Sequence, residues 1–415
     1  VLSTHVRYRV VAFTVTLAAV TYLDRVCIGI VAPSIMRDLK LSPMQMSYVF
    51  SAFTLAYAIF EVPTAWWADR VGSRRVLTRI VFWWSAFTMA TAAAFSYPML
   101  LAVRFLFGAG EAGAWPNAAR VFTRWVPMRE RGRAQGIFFA GAHLSGGLTP
   151  ILVVYLTTFL PWRAVFLLFG CVGAVWATGW WWWFRDEPRD HPAVSQAECE
   201  LIESSRDLPP QTEHSWKQVF ATRSLLPLCL QYFANTYGFY FFITWLPTYL
   251  AKARGLANTE LAIFSGLPLM LSALCSIGGG IATDAISRRS GFRIGRCGVG
   301  AVSYVLAAGL MFSGTIAKEP RAAGWLIALG GAASMLSLGP AWATAIDIGG
   351  RKSATLSAVM NTAGQVGGIL SPIVLAYIVQ QFASWSMPLH ILSALYLMAA
   401  ISWLLINPNR KVNHA

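Results

Sequence analysis

Four ionisable side chains stand inside long apolar stretches: Asp24 and Arg25 within 10–35, and Arg104 and Glu111 within 98–122. An Arg or Asp at the centre of a membrane-spanning helix costs about 3 kcal/mol on insertion scales, and such groups usually mark pathways for ions or substrates. Arg104 and Glu111 are seven residues apart. That is two helical turns, so they share a face about 10 Å apart along the axis and are not a direct pair. Two arginines on a central cavity would grip a carboxylate bidentately, where lysine offers only a point charge. Two carboxyls beside them could load and release protons, because burial favours the neutral acid and a neighbouring guanidinium favours the carboxylate. The expected chemistry is recognition of a small organic anion by Arg25, assisted by Arg104, with proton coupling on Asp24 and Glu111. The alternative is a buried ion-pair network that never meets a substrate.

Further polar groups fall in neighbouring apolar stretches. Gln231 and Asn235, four residues apart, share a helical face and could hydrogen-bond substrate hydroxyls, or could link helices. His143 could relay protons, since its ordinary pKa is near neutrality, or bond a neighbouring helix. Glu61, Pro63 and Asp347 read as gate or boundary residues. No nucleophile and base stand in suitable spacing, which argues against a membrane enzyme. The six cysteines form no CxxC and have no histidine at metal spacing, so no disulfide framework, metal site or cofactor is expected.

The elements that must position these groups are membrane helices. Of 415 residues, 56% are hydrophobic and 12% charged, against roughly 25% charged in soluble proteins. Arg and Lys outnumber Asp and Glu by 33 to 18, but they sit in short clusters between apolar runs, a pattern of membrane orientation and not of nucleic-acid binding. A spanning helix needs about 20 mainly apolar residues. Twelve windows qualify: 10–35, 45–68, 76–95, 98–122, 134–159, 162–184, 225–250, 260–285, 294–316, 322–346, 354–382 and 387–406. The start, Arg7-Tyr8-Arg9, imitates a signal peptide, but the apolar run behind it is long enough to span.

Hydrophilic 185–222 separates the sixth and seventh windows, so a six-helix bundle is expected over 1–184, a linker over 185–222 and a second bundle over 223–415. Within the linker, Ser195 and Glu198 have capping-box spacing and predict a short helix. Cations follow the even-numbered windows: Arg70, Arg74, Arg75 and Arg79, then Arg124, Arg129, Arg131 and Arg133, then Arg288, Arg289, Arg293 and Arg296, then Arg351 and Lys352. Their excess puts those loops, the linker and both termini in the cytoplasm. The tryptophans at 180–183 read as an interfacial anchor.

An internal repeat supports two halves. Asp69-Arg70-Val71-Gly72-Ser73-Arg74-Arg75 follows the second window, and Asp284 with Ser287-Arg288-Arg289 follows the eighth. A carboxylate at a helix end with arginines just beyond can latch a loop against a neighbouring helix, so Asp69, Arg70, Arg74, Asp284 and Arg288 are the expected gating residues. Glycines cluster at Gly108, Gly110 and Gly113, at Gly278 to Gly280, and at Gly364, Gly367 and Gly368, where they permit close helix approach.

The Asp-Arg-x-Gly-x-Arg-Arg loop, the halves and the linker resemble the major facilitator superfamily. Within it, Tyr22-Leu23-Asp24-Arg25, Arg104-Phe105-Leu106-Phe107-Gly108-Ala109-Gly110-Glu111, and Tyr237-Gly238-Phe239-Tyr240-Phe241 with Thr244-Trp245-Leu246-Pro247-Thr248-Tyr249 resemble the anion:cation symporters. That branch includes bacterial hexuronate, galactonate, glucarate and tartrate carriers and the animal sialic acid and vesicular glutamate carriers. Asp186-Glu187-Pro188 with His191-Pro192 and Ser195 is typical of its bacterial members. The likeness covers nearly the whole chain; Ala65 departs from the Gly usual in the loop motif.

The resemblance implies an all-α integral membrane protein of twelve helices in two pseudo-symmetric bundles. It implies alternating access and proton-coupled symport of a sugar acid such as hexuronate, galactonate or glucarate, with an exchanger or exporter of the same fold as the alternative. It also implies that Tyr22, Tyr57, Trp342 and Asn361 line the substrate site and that ionised Asp24 pairs with Arg25 or Arg104. The expected partners are the organic anion, protons and the lipid bilayer, for a monomer in the inner (plasma) membrane.

Overall fold

The computed structural model describes residues 4–204, 220, 222–349 and 353–408, apart from the side chains at 62, 65, 66, 68–70, 123, 128–133, 135, 346, 353–355 and 358. The described α-helices are α1 (Val6–Leu39), α2 (Pro43–Val71), α3 (Ser73–Ala92), α4 (Tyr97–Glu111), α5 (Ala114–Trp125), α6 (Met128–Leu156), α7 (Trp162–Trp183) and α8 (Gln196–Glu203). They continue as α9 (Leu225–Thr244), α10 (Leu246–Arg254), α11 (Asn258–Phe292), α12 (Val299–Ile316), α13 (Pro320–Met335), α14 (Leu338–Gly349), α15 (Ser353–Phe382) and α16 (Met387–Leu405). All twelve expected windows are helical, and no strand occurs among the described residues. Seven described stretches are long and apolar enough to cross a membrane by that measure alone. The fourth window misses this mark because α4 has only 15 residues.

The expectation of one unbroken rod per window fails in three places. α4 and α5 part at Ala112-Gly113, α13 and α14 at Leu336-Ser337, and α9 and α10 at Trp245. Proline supplies the reason: it has no N–H, and its ring clashes with the carbonyl four residues earlier. For Pro116 and Pro340 those carbonyls belong to Ala112 and Leu336, which are the C-caps of α4 and α13. Gly113 takes the turn with φ +87°. Pro247 stands in the first turn of α10. The Pro116 and Pro340 breaks occupy matching places in the two repeats, the arrangement by which repeat-built carriers frame a binding site.

The repeat extends to packing. α1 lies on α6 as α9 lies on α15, and α3 lies on α7 as α12 lies on α16. A Cβ at Gly108 would overlap the Phe53 carbonyl, and one at Gly279 would overlap the Leu336 carbonyl, so in each repeat a glycine lets two backbones touch. The connecting turns match only in part. Gly72 (φ +95°) and Gly291 (φ +83°) both take left-handed backbone angles, but Asp69 lies three residues before its glycine and Asp284 seven.

Contacts divide the chain into two compact units, Val1–Leu41 with Ala52–Pro210, and Ser42–Ser51 with Gln211–Ala415. Linker residues 185–204 thus belong to the first unit, and their carboxylates explain why. Asp186 accepts a hydrogen bond from the Arg74 backbone N–H at 3.0 Å, in the first turn of α3, whose N-cap Gly72 has no side chain to offer. Glu187 pairs with Arg124 at the end of α5. Ser195 caps α8 as its spacing predicts, accepting from the Glu198 N–H at 3.3 Å.

Glu198 itself is fully buried. It accepts from the N–H groups of Val6 and Arg7, each at 3.1 Å, from Thr4 Oγ1 at 2.6 Å and from the Arg7 guanidinium at 3.1 Å, so it caps α1 from 191 residues away. The tryptophan run is split in role: Trp180 is buried and stacked on Phe184 at 3.9 Å, while Trp182 is 76% exposed. Anchoring is left to Trp181 and Trp182.

Removing one partner of a buried, hydrogen-bonded ion pair costs about 3 kcal/mol or more. Glu198→Ala is therefore expected to lower the melting midpoint of the detergent-solubilised protein clearly. Glu203→Ala, at the exposed pair with Arg189, should move it by only a small fraction of that, because solvent screens an exposed ion pair. A second expectation concerns the backbone contacts: Gly108→Val and Gly279→Val should each reduce the monodisperse peak in gel filtration, whereas Gly309→Ala, where a Cβ meets nothing, should not.

Candidate functional site

The buried charges converge inside the first unit, where α1 supplies Asp24 and Arg25 and α4 supplies Arg104 and Glu111. Arg25 Nε donates to Glu111 Oε1, so the first helix is tied to the fourth. The Arg25 guanidinium carbon lies 4.9 Å from the Tyr57 ring centre, 5.2 Å from Phe53 and 6.0 Å from Tyr22. Arg104 lies 4.2 Å from the ring centre of Phe107 and 5.6 Å from that of Phe53. Aromatic faces attract a cation most strongly where water is absent, by about 2 kcal/mol when desolvated, and Phe53 is shared by both guanidiniums.

Asp24 is 1% exposed, Arg104 2% and Glu111 0%. Both Asp24 oxygens, Glu111 Oε2 and Arg104 Nε and Nη1 are buried with no hydrogen-bond partner among the described residues. Buried polar atoms left unmatched cost about 1–3 kcal/mol each, more when charged. Five such atoms gather in this one cluster, where each unmatched group raises the cost of the others in the low local dielectric.

Tyr22 extends the wall, with its ring centre 5.9 Å from His143 and 6.0 Å from Trp115. Trp115 in turn packs on Phe138 at 4.7 Å and stacks on Phe139 at 5.5 Å. Of the residues expected from sequence, Tyr22, Asp24, Arg25, Tyr57, Arg104, Glu111 and His143 are thus gathered in one unit. Sequence reading overlooked Phe53, Phe107 and Trp115. The signal was present for two of them: Phe53 is one helical turn before Tyr57, and Phe107 is three residues after Arg104, on the same face.

The second-unit candidates are placed differently. Gln231 is fully buried, donates to the Leu228 carbonyl at 3.0 Å and accepts from Tyr304 Oη at 3.2 Å. Its amide joins α9 to α12. Asn235 is also buried, its Nδ2 3.3 Å from the Ser334 carbonyl, so it links α9 to the broken end of α13. Trp342 is exposed, its ring centre 6.0 Å from that of Tyr232; Asn361 is half-buried. The breaks and polar links gather on the helices that match the charged ones of the first unit.

Among the gating candidates, the side chains of Asp69 and Arg70 lie outside the described residues, as do Arg351 and Lys352 altogether. Arg74 does not reach out as a latch: its Nε and Nη2 donate to the Trp181 carbonyl at 2.9 and 2.6 Å. Asp284 pairs with Arg296 at 2.8 Å, which also reaches Asp347 at 3.2 Å, while Arg288 is exposed. Arg296 thus ties Asp284 of α11 to Asp347, which stands near the end of α14.

Residues 14–372 match the Major Facilitator Superfamily. The chain is 35% identical to the probable sulfoacetate transporter SauU of Cupriavidus necator, over 94% of this chain and 91% of that protein. It is 31% identical to the probable galactarate/D-glucarate transporter GudP of Bacillus subtilis, over 99% and 94% respectively. In fold it is similar to a bacterial homologue of the human lysosomal transporter Spinster in an inward-facing, occupied conformation, with TM-score 0.78, 20% identity and 96% of each chain covered. The match spans most of the sequence, the helices repeat as two sets, and the chain accordingly belongs to the Major Facilitator Superfamily, as an all-α, multi-pass membrane transporter and not an enzyme.

Proposed function

We propose that this transporter carries a small organic anion of the sugar-acid or sulfo-acid kind together with protons, by alternating access. The observation that carries this reading is the Arg25–Glu111 pair, with Asp24 and Arg104 buried and unmatched beside it. An incoming carboxylate or sulfonate competes with Glu111 for Arg25, and protonation of Glu111 releases the guanidinium to the ligand. Asp24 is the second carboxyl able to take up a proton, so anion and proton arrive at one place and each favours the other. The ligands in the names of SauU and GudP, sulfoacetate and galactarate or glucarate, are small organic acids, which supports the same class. The cations after the even-numbered windows favour a cytoplasmic linker and termini, and the site lies within one chain, which fits a monomer in the inner membrane.

Uptake into proteoliposomes tests this. With acid outside and neutral buffer inside, radiolabelled sulfoacetate or D-glucarate should accumulate, and Arg25→Ala should reduce that uptake by roughly 30-fold or more, the effect of truncating one partner of a buried charged pair. Glu111→Gln and Asp24→Asn should lose accumulation driven by the pH difference yet keep exchange of labelled for unlabelled anion. Uptake indifferent to collapse of the pH difference would remove protons from the reading, and stabilisation by neutral sugars alone would remove the anion.

Orientation has its own check. In a variant whose other cysteines are replaced by Ser, Cys199 of α8 should react with an impermeant maleimide only after cells are permeabilised. Burial and the nearby Glu203 carboxylate hold its thiol above the usual range, so labelling should be slow at neutral pH and quicken as pH rises.

A further inference from the structure

Resting on that anion-transport reading, we infer that the preferred substrate is a two-headed dianion, with an acid group at each end, and that Arg104 is the residue that reads the second head. The two guanidinium carbons lie 5.2 and 5.6 Å from one ring centre, that of Phe53, so they are no more than about 11 Å apart. An acid group in a bidentate pair sits about 4 Å from the guanidinium carbon. A ligand whose acidic groups are a few ångström apart can therefore engage both.

The two arginines are not in the same condition. Arg25 has Glu111 for a partner within the protein. Arg104 keeps two N–H groups, Nε and Nη1, buried with no hydrogen-bond partner among the described residues, at 2% exposure. Asp24, the other carboxyl of the cluster, gives it no hydrogen bond either, since both Asp24 oxygens are unmatched. A monoanion held by Arg25 leaves the Arg104 fork as costly as before. A dianion removes that cost, because its second acid group takes the two vacant donors, and buried donors discriminate strongly against a ligand that leaves them unpaired. The rings of Phe53, Phe107 and Tyr57 surround the pair and offer no acceptor, and the nearby carboxyls of Asp24 and Glu111 act on Arg104 by charge without accepting a hydrogen bond from its Nε or Nη1.

The test compares matched ligands on the purified full-length protein by isothermal titration: sulfoacetate against methanesulfonate and acetate, and D-glucarate against D-gluconate. Each dianion should bind at least tenfold more tightly than its monoanion partner. In Arg104→Gln the dianion-to-monoanion affinity ratio should fall by about tenfold to a hundredfold, the effect of losing a charged hydrogen-bond pair, and Arg104→Lys should recover part of it. Equal binding of each dianion and its partner, or an Arg104→Gln that weakens both by one factor, overturns the assignment while leaving anion transport in place. If the Arg104 variants do not fold, the wild-type comparison decides. Absence of binding by every acid tested would remove the anion reading and this inference together.

Discussion

A guanidinium held at the depth of the hydrocarbon layer must have its charge answered by something other than water, and for Arg25 the answer is Glu111. The pairing dictates much of the first bundle. α1 and α4 must come close enough for the two side chains to meet, and α4 must also press on α2, where Gly108 admits the Phe53 carbonyl. That crossing delivers Phe53 and Tyr57 to the guanidinium from the α2 side. The charged cluster is thus a product of helix packing, and the packing in turn depends on a residue with no side chain.

The polar extremities of the same bundle follow the same logic of unanswered charge. Helix N-termini present backbone N–H groups and a partial positive charge, and neither α1 nor α3 caps itself. The linker supplies both carboxylates, from Glu198 and Asp186, and a third from Glu187 to Arg124. A segment that looks in sequence like a tether between bundles is, over its described part, a clasp on one of them.

How much of this was readable beforehand depended on whether a feature was local. The buried charges, the helical windows and the α8 cap announce themselves within a few residues, because hydropathy and capping are short-range properties. The partner of Glu198 did not, since its spacing with Ser195 predicts a helix start but not a contact 191 residues distant. The contact of Gln231 with Tyr304 was unreadable for a related reason: an amide in an apolar helix does not announce which neighbouring helix it meets. Phe53 was marked only by its place one helical turn before Tyr57, a signal easily passed over because a phenylalanine in a membrane helix is unremarkable until a cation is known to lie over it. The breaks before Pro116 and Pro340 were legible in principle, from the proline rule and the four-residue offset, but a window search for apolar length passes straight over them.

Those two interruptions bear on how the protein can change shape. Bending an intact helix sacrifices main-chain hydrogen bonds, and inside lipid no water replaces them. At Ala112 and Leu336 that sacrifice has already been made by the covalent structure of proline, so the segments on either side are joined as if by a swivel. α5 can pivot while α4 stays clamped to α1 through Arg25 and Glu111, and α14 has the same freedom relative to α13. The first break thus falls just beyond the Arg25–Glu111 tie and not within it.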